Sequence, residues 1–140
     1  MPSRESGEIR KRIQVAGPTA LGDAIASTRL YALEHELNAR DRARLCIIVE
    51  EVITNLCEHG VCESDHEITL ELFRLPSGLG LVFEDNGAPF DPRMVSAADD
   101  MPQRGGGAGL RLVRAWSEII GYESGEDGNR LELMLTLSGD

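Results

Sequence analysis

No stretch of this 140-residue chain is long enough or apolar enough to cross a membrane. The first eight residues, Met1 to Glu8, are polar and carry no apolar signal core, which points to the cytoplasm. Basic residues are few: 14 against 24 acidic ones, for a formal net charge of -10. No patch interleaves them with aromatics, so the balance argues against direct binding to a nucleic acid. A basic protein partner is compatible with the charge but not required by it. Cysteine is scarce too. Three of them, an odd number without a paired framework, read as reduced thiols. Cys57, His59, Cys62 and His66 lie close in sequence, yet Cys57 and His59 face different sides of a helix and no C-x-x-C pair occurs, which argues against zinc.

What is present describes one soluble domain. The hydrophobic fraction is 41% and the chain shows no repeat, linker or second domain. Residues 1–8 read as a flexible tail and 9–140 as a single domain with its own core. Ile9 to Ala16 alternates as a short edge strand, with Ile13 and Val15 on one face. Thr19 is placed to cap a helix over Ala20 to Leu37. Asn38 and Asp41 then end that helix and cap the next, which runs from about Asp41 to His59 with Gly60 as its stop. Ile68, Leu70 and Leu72 alternate in a strand; Leu79, Leu81 and Phe83 alternate in its hairpin partner. Residues 88 to 109 are irregular and long enough to be a lid or binding loop. A helix follows from Leu110 to about Ile120, with Val113, Trp116, Ile119 and Ile120 on its apolar side. The last strand carries Leu131, Leu133, Leu135 and Leu137.

The second helix organises the chain. Leu45, Ile48, Val49, Val52, Ile53 and Leu56 form one stripe at helical spacing. Glu51, Asn55 and His59, four apart, stack into a polar ridge beside that stripe. A carboxylate and an amide at the edge of a core suit the floor of a pocket, while His59 reads as a packing residue. Glu51 is placed to take a proton from a hydroxyl or water. Asn55 offers an oxygen to Mg2+. Further on, a strand ends in Asp85-Asn86-Gly87. By itself this reads as a tight turn. As a site, Asp85 accepts a hydrogen bond from an exocyclic amine and Gly87 lets backbone pass close to a ring. Finally, Gly105-Gly106-Gly107-Ala108-Gly109-Leu110 opens a helix, as either a flexible hinge or a phosphate cradle. It lacks the Gly-Lys-Ser/Thr ending of a P-loop and follows no strand, so it is not a Rossmann fingerprint. Arg104 beside it reads as a surface charge, with a phosphate contact as the alternative.

Together, Glu51-Val52-Ile53-Thr54-Asn55, Glu84-Asp85-Asn86-Gly87 and Gly107-Ala108-Gly109-Leu110-Arg111-Leu112 resemble the N-box and the two glycine boxes of the Bergerat-fold (GHKL) ATPases. They come in that order, about 30 and 20 residues apart. Within that superfamily the chain looks like the small anti-sigma-factor serine-protein kinases, with a histidine-kinase-like ATPase domain. The resemblance implies an α+β, two-layer sandwich: a mostly antiparallel, mixed sheet with three main helices on one face and an ATP lid over about 88–109. It implies ATP and Mg2+ as ligands. By position, Glu51 becomes the catalytic base and Asn55 the Mg2+ ligand. Asp85 becomes the adenine-reading carboxylate, and Gly87, Gly105, Gly107, Gly109 and Leu110 shape the nucleotide pocket. It also implies an anti-anti-sigma (antagonist) protein as substrate, a sigma factor as sequestered partner, and a homodimer. A catalytically silent scaffold that regulates its partner by binding alone is the alternative. Ala108 and Gly60 depart from the pattern without removing a catalytic group.

Overall fold

The computed structural model describes residues 10–60, 67–76, 78–87, 89 and 106–138, and only the backbone at 58–60 and 106–110. Most of the expected lid, Gly105 included, and the tail lie outside the described residues.

Five strands form one sheet: β1 Lys11–Ala16, β2 Glu67–Leu75, β3 Gly78–Asp85, β4 Ser117–Gly125 and β5 Gly128–Thr136. Their order is β1-β2-β3-β5-β4, antiparallel at every pairing. Three helices accompany them: α1 Ala20–Glu34, α2 Ala39–Gly60 and α3 Gly106–Trp116. One face of the sheet is apolar. Ile13, Ile68, Leu70, Leu72, Leu81, Phe83, Leu131 and Leu133 share it by alternation, and all are buried in the core with the helices. The other face carries charge. Arg130 meets Glu84 at 3.5 Å and Glu132 at 3.3 Å, and Arg10 meets Glu71 at 3.0 Å. Such half-exposed pairs add little stability; they keep this face in water.

α2 fits its sequence pattern. All six stripe residues, Leu45 to Leu56, are buried. Each contributes about 2 kcal/mol by the area it removes from water. α1 ends earlier than its periodicity predicts, at Glu34 rather than Leu37. Glu36 adopts a left-handed conformation (φ 55°), Leu37 N–H bonds Ala32 O at 3.0 Å, and Glu36 N–H bonds Leu33 O at 3.1 Å. This Schellman turn swings Leu37 into the core, and that burial outweighs the cost of a left-handed non-glycine residue. Thr19 does not cap the backbone of α1; its hydroxyl donates to Asp23 instead, at 3.0 Å.

The turn between α1 and α2 divides its work differently from the expectation. Asn38 is the cap, its Oδ1 accepting the Asp41 N–H at 2.8 Å. Asp41, 3% exposed, points across the molecule. Its carboxyl accepts the Ser138 N–H at 3.0 and 3.1 Å and the Ser138 hydroxyl at 3.2 Å. The start of α2 is thereby tied to the segment leaving β5.

The expected helix to Ile120 is corrected. α3 begins at Gly106, inside the glycine-rich run, and stops at Trp116, where Ser117 Oγ donates to Val113 O at 2.6 Å. Ile119 and Ile120 belong to β4, which pairs with β5 through an irregularity between Ile119 and Gly121. Their helical spacing with Val113 is a coincidence; β-branched and aromatic residues from Ile119 to Tyr122 suit a strand, and β5 supplies its hydrogen bonds. The cysteines are also corrected in part: Cys46 is a free thiol, but Cys57 is disulfide-bonded.

Asp41→Ala removes the acceptor of the Ser138 tie. We expect about 2–3 kcal/mol of lost stability in urea unfolding; a loss below about 0.5 kcal/mol would show that the tie is dispensable.

Candidate functional site

The tie sets where the polar ridge lies. Ser138 follows β5, and Thr136 pairs with Gly78 at the start of β3. α2 therefore starts at the Gly78 end of the sheet. Its 22 residues span about 33 Å, enough to cross the sheet. At the far end, Gly60 is seven residues from Glu67, whose N–H bonds Asn86 Oδ1 at 2.8 Å. So the Glu51–Asn55 half of α2 approaches the Asp85 end. α3 ends at Trp116, next to Ser117, which pairs with Leu135 near the Gly78 end of the sheet, and it packs against α2.

Asn55 is 5% exposed. Its Nδ2 donates to Glu51 O at 3.0 Å, one turn back. That bond engages the amide nitrogen. Glu51 is half-buried on the same ridge.

Asp85 ends β3 on the apolar face, in line with Leu81 and Phe83, and is 7% exposed. Its Oδ2 accepts the Gly87 N–H at 2.8 Å, and its Oδ1 accepts Asn129 Nδ2 at 3.2 Å. Asn129 also donates to Gly87 O at 2.9 Å and accepts from Ser124 Oγ at 2.7 Å. The carboxylate is thus held in one orientation from two sides, as a pre-set acceptor must be. Close packing completes the corner. At Gly128, with φ +118°, a Cβ would lie 2.6 Å from Asp85 O.

Sequence reasoning missed Asn129. Its signal lay in the register: pairing β5 with β3 places Asn129 directly across from Asp85. Gly107, Gly109 and Leu110 fall in the first turns of α3 rather than in a loop before it. Helix N–H groups without intrahelical partners, at the positive end of the helix dipole, suit an anion. Gly105, Arg104 and the side chain of His59 lie outside the described residues.

Other chemistry fits less well. A cleft of about 490 Å3 opens on the charged face near Asp85, between Glu67, Glu84, Glu123, Asp127 and Arg130. Its carboxylates outnumber its one guanidinium, so it would repel a triphosphate. Burial pushes the Cys46 thiol up, despite the opposing pull of Arg29 and Arg42, so it makes a poor nucleophile. Among the described residues, no three His, Cys, Asp or Glu side chains are placed to share a metal, and the Cys57 sulfur is held in its disulfide.

A five-stranded antiparallel sheet with three helices is the architecture of a histidine kinase-like ATPase domain. The chain belongs to the histidine kinase-like ATPase domain family, whose profile matches residues 15–135. It is 30% identical over 120 residues to the serine/threonine-protein kinase BtrW of Bordetella bronchiseptica, covering 77% of this chain and 83% of that one. Among solved structures it resembles the catalytic domain of the histidine kinase ThkA, with a TM-score of 0.52 and 14% identity over 91% of this chain and 97% of that one. It also resembles the blue-light activated histidine kinase of Erythrobacter litoralis, with a TM-score of 0.55 and 20% identity. That match covers 73% of this chain and 32% of that kinase, so the chain spans about a third of its length. These two likenesses are of fold.

Asn129→Ala leaves the carboxyl of Asp85 and the carbonyl of Gly87 without their shared donor. Its cost is expected at about 1–3 kcal/mol in urea unfolding; an unchanged midpoint would contradict the corner as described.

Proposed function

We propose that the protein is an ATP-dependent serine-protein kinase and anti-sigma factor of a bacterial partner-switching system. It phosphorylates an anti-anti-sigma protein, sequesters a sigma factor, and works in the cytoplasm as a homodimer. What supports this reading is the tie of the start of α2 to Ser138, at the end of the sheet opposite Asp85, with Glu51 and Asn55 in the later half of that helix. The similarity to the Bordetella serine/threonine-protein kinase supports the reaction class.

In this reading Asp85 accepts a hydrogen bond from the adenine amine, its plane fixed by Gly87 and Asn129. Gly87 lets the backbone pass beside the base. The first turns of α3, with Gly107, Gly109 and Leu110, offer N–H groups to phosphate, and Gly105, outside the described residues, is a further nucleotide-binding residue in this proposal. Asn55 fits Mg2+ because its nitrogen is committed to Glu51 O and its oxygen is a hard donor. The ion, when bound, neutralises charge on the phosphate oxygens. The substrate serine oxygen attacks the γ-phosphorus, the bond to the ADP oxygen breaks, and Glu51 takes the hydroxyl proton.

Transfer from γ-labelled ATP to candidate anti-anti-sigma proteins tests the proposal. Labelled serine is expected with wild type. Glu51→Gln should reduce the rate by about 100-fold or more while ATP affinity is kept. Wild-type protein that binds ATP and its partners but labels no serine would overturn the kinase assignment in favour of a binding scaffold. Asn55→Ala should remove the magnesium dependence of ATP affinity; a retained dependence would reject Asn55 as the ligand.

A further inference from the structure

A second concave surface lies at the other end of α2. Arg40 and Arg44 sit one helical turn apart and line, with Trp116, Glu118, Leu137 and Ser138, a cleft of about 530 Å3. Its strand residues Ser117 and Thr136 belong to the Gly78 end of the sheet, opposite Asp85. Arg44 and Asn55 are eleven residues apart on α2, about 16 Å along its axis. The cleft is therefore separate from the nucleotide end.

Its electrostatics are unusual for this chain. Like charges one turn apart on a helix repel. With 24 acidic residues available, an acidic neighbour would be the ordinary relief. Neither guanidinium makes an ion pair: the ion pairs among the described residues involve Arg10, Arg12 and Arg130. Asp41, beside them in sequence, makes no ion pair with either arginine; its carboxyl is bonded to Ser138 at the cleft wall. Glu118 is the one carboxylate lining the cleft, and it pairs with neither arginine. Arg44 instead lies over the Trp116 ring, 5.0 Å from its centroid.

We propose that this cleft docks an acidic peptide segment of a protein partner, with a carboxylate side chain held by Arg40 and Arg44 and its stem packed on Trp116. A guanidinium fork matches a carboxylate in plane and charge. Arginine and tryptophan are the side chains that most often carry interface energy. The volume exceeds that of a small inorganic ion and is that of a pocket for a larger group. A nucleic acid fits poorly, because the remaining surface of a chain with net charge -10 would repel its backbone.

The chain has a single tryptophan, so Trp116 fluorescence reports the cleft directly. The full chain is titrated with a short Asp/Glu peptide, with its Asn/Gln counterpart, and with inorganic phosphate. The proposal expects a saturable change with the acidic peptide alone, weakened roughly tenfold or more by Arg40→Glu and by Arg44→Glu. Arg40 packs on no aromatic ring, so Arg40→Glu keeps the test decisive if Arg44→Glu fails to fold. No change with the acidic peptide, or one that Arg40→Glu leaves intact, would overturn the proposal. An equal response to phosphate would make this a small-anion site, and an equal response to the neutral peptide an apolar one; either result also overturns it.

Discussion

The carboxyl group of Asp41 holds Ser138 through its N–H and its hydroxyl, and that contact fixes α2 across the sheet. Once the start of the helix is held beside the end of β5, its length brings the later half to where β3 stops. The six-residue stripe then sets the rotation. With Leu45 to Leu56 turned into the core, Glu51 and Asn55 fall at its edge. The polar ridge has its place because the apolar stripe and the N-terminal tie leave it no other.

The two ends of α3 differ in the same productive way. Val113 is fully buried and Ser117 closes the last turn, so the C-terminal end is anchored. The first turns contain Gly106, Gly107 and Gly109, each costing about 1 kcal/mol relative to alanine in a helix. An anion that bonds the exposed N–H groups would repay part of that cost, so this helix start is suited to gain order from a phosphate. At the strand end the design is opposite. Asp85 is held by Gly87 and Asn129, and Gly128 leaves no room for a side chain there. In the proposed function, a rigid reader of a base and a weak helix start for phosphates would divide the nucleotide between them.

Much of this was legible in the sequence, for reasons that can be named. α2 was read correctly because a long amphipathic stripe is a strong signal with a strong energetic cause. The β2–β3 hairpin was read because alternation and turn residues agreed. β4 was misread because Val113, Trp116, Ile119 and Ile120 satisfy helical spacing, and only pairing with β5 decides between helix and strand. Asn129 was missed for the same reason, since its role exists only in the register that sets it opposite Asp85. Asn38 and Asp41 were recognised as a boundary, but the partner of Asp41 lies 97 residues away, and no local rule reaches that far. The arginine cleft was equally hidden, for α2, α3 and β5 each supply part of it.

The central claim is that the Asp85 end of the sheet binds ATP. Calorimetric titration of ATP with Mg2+ into the wild-type chain and into Asp85→Asn tests it most directly. The account predicts saturable one-site binding to the wild type and a loss of roughly tenfold or more in the variant, whose amide cannot serve as the same pair of acceptors. Equal affinity of both proteins for ATP, or no heat of binding to the wild type, would contradict it.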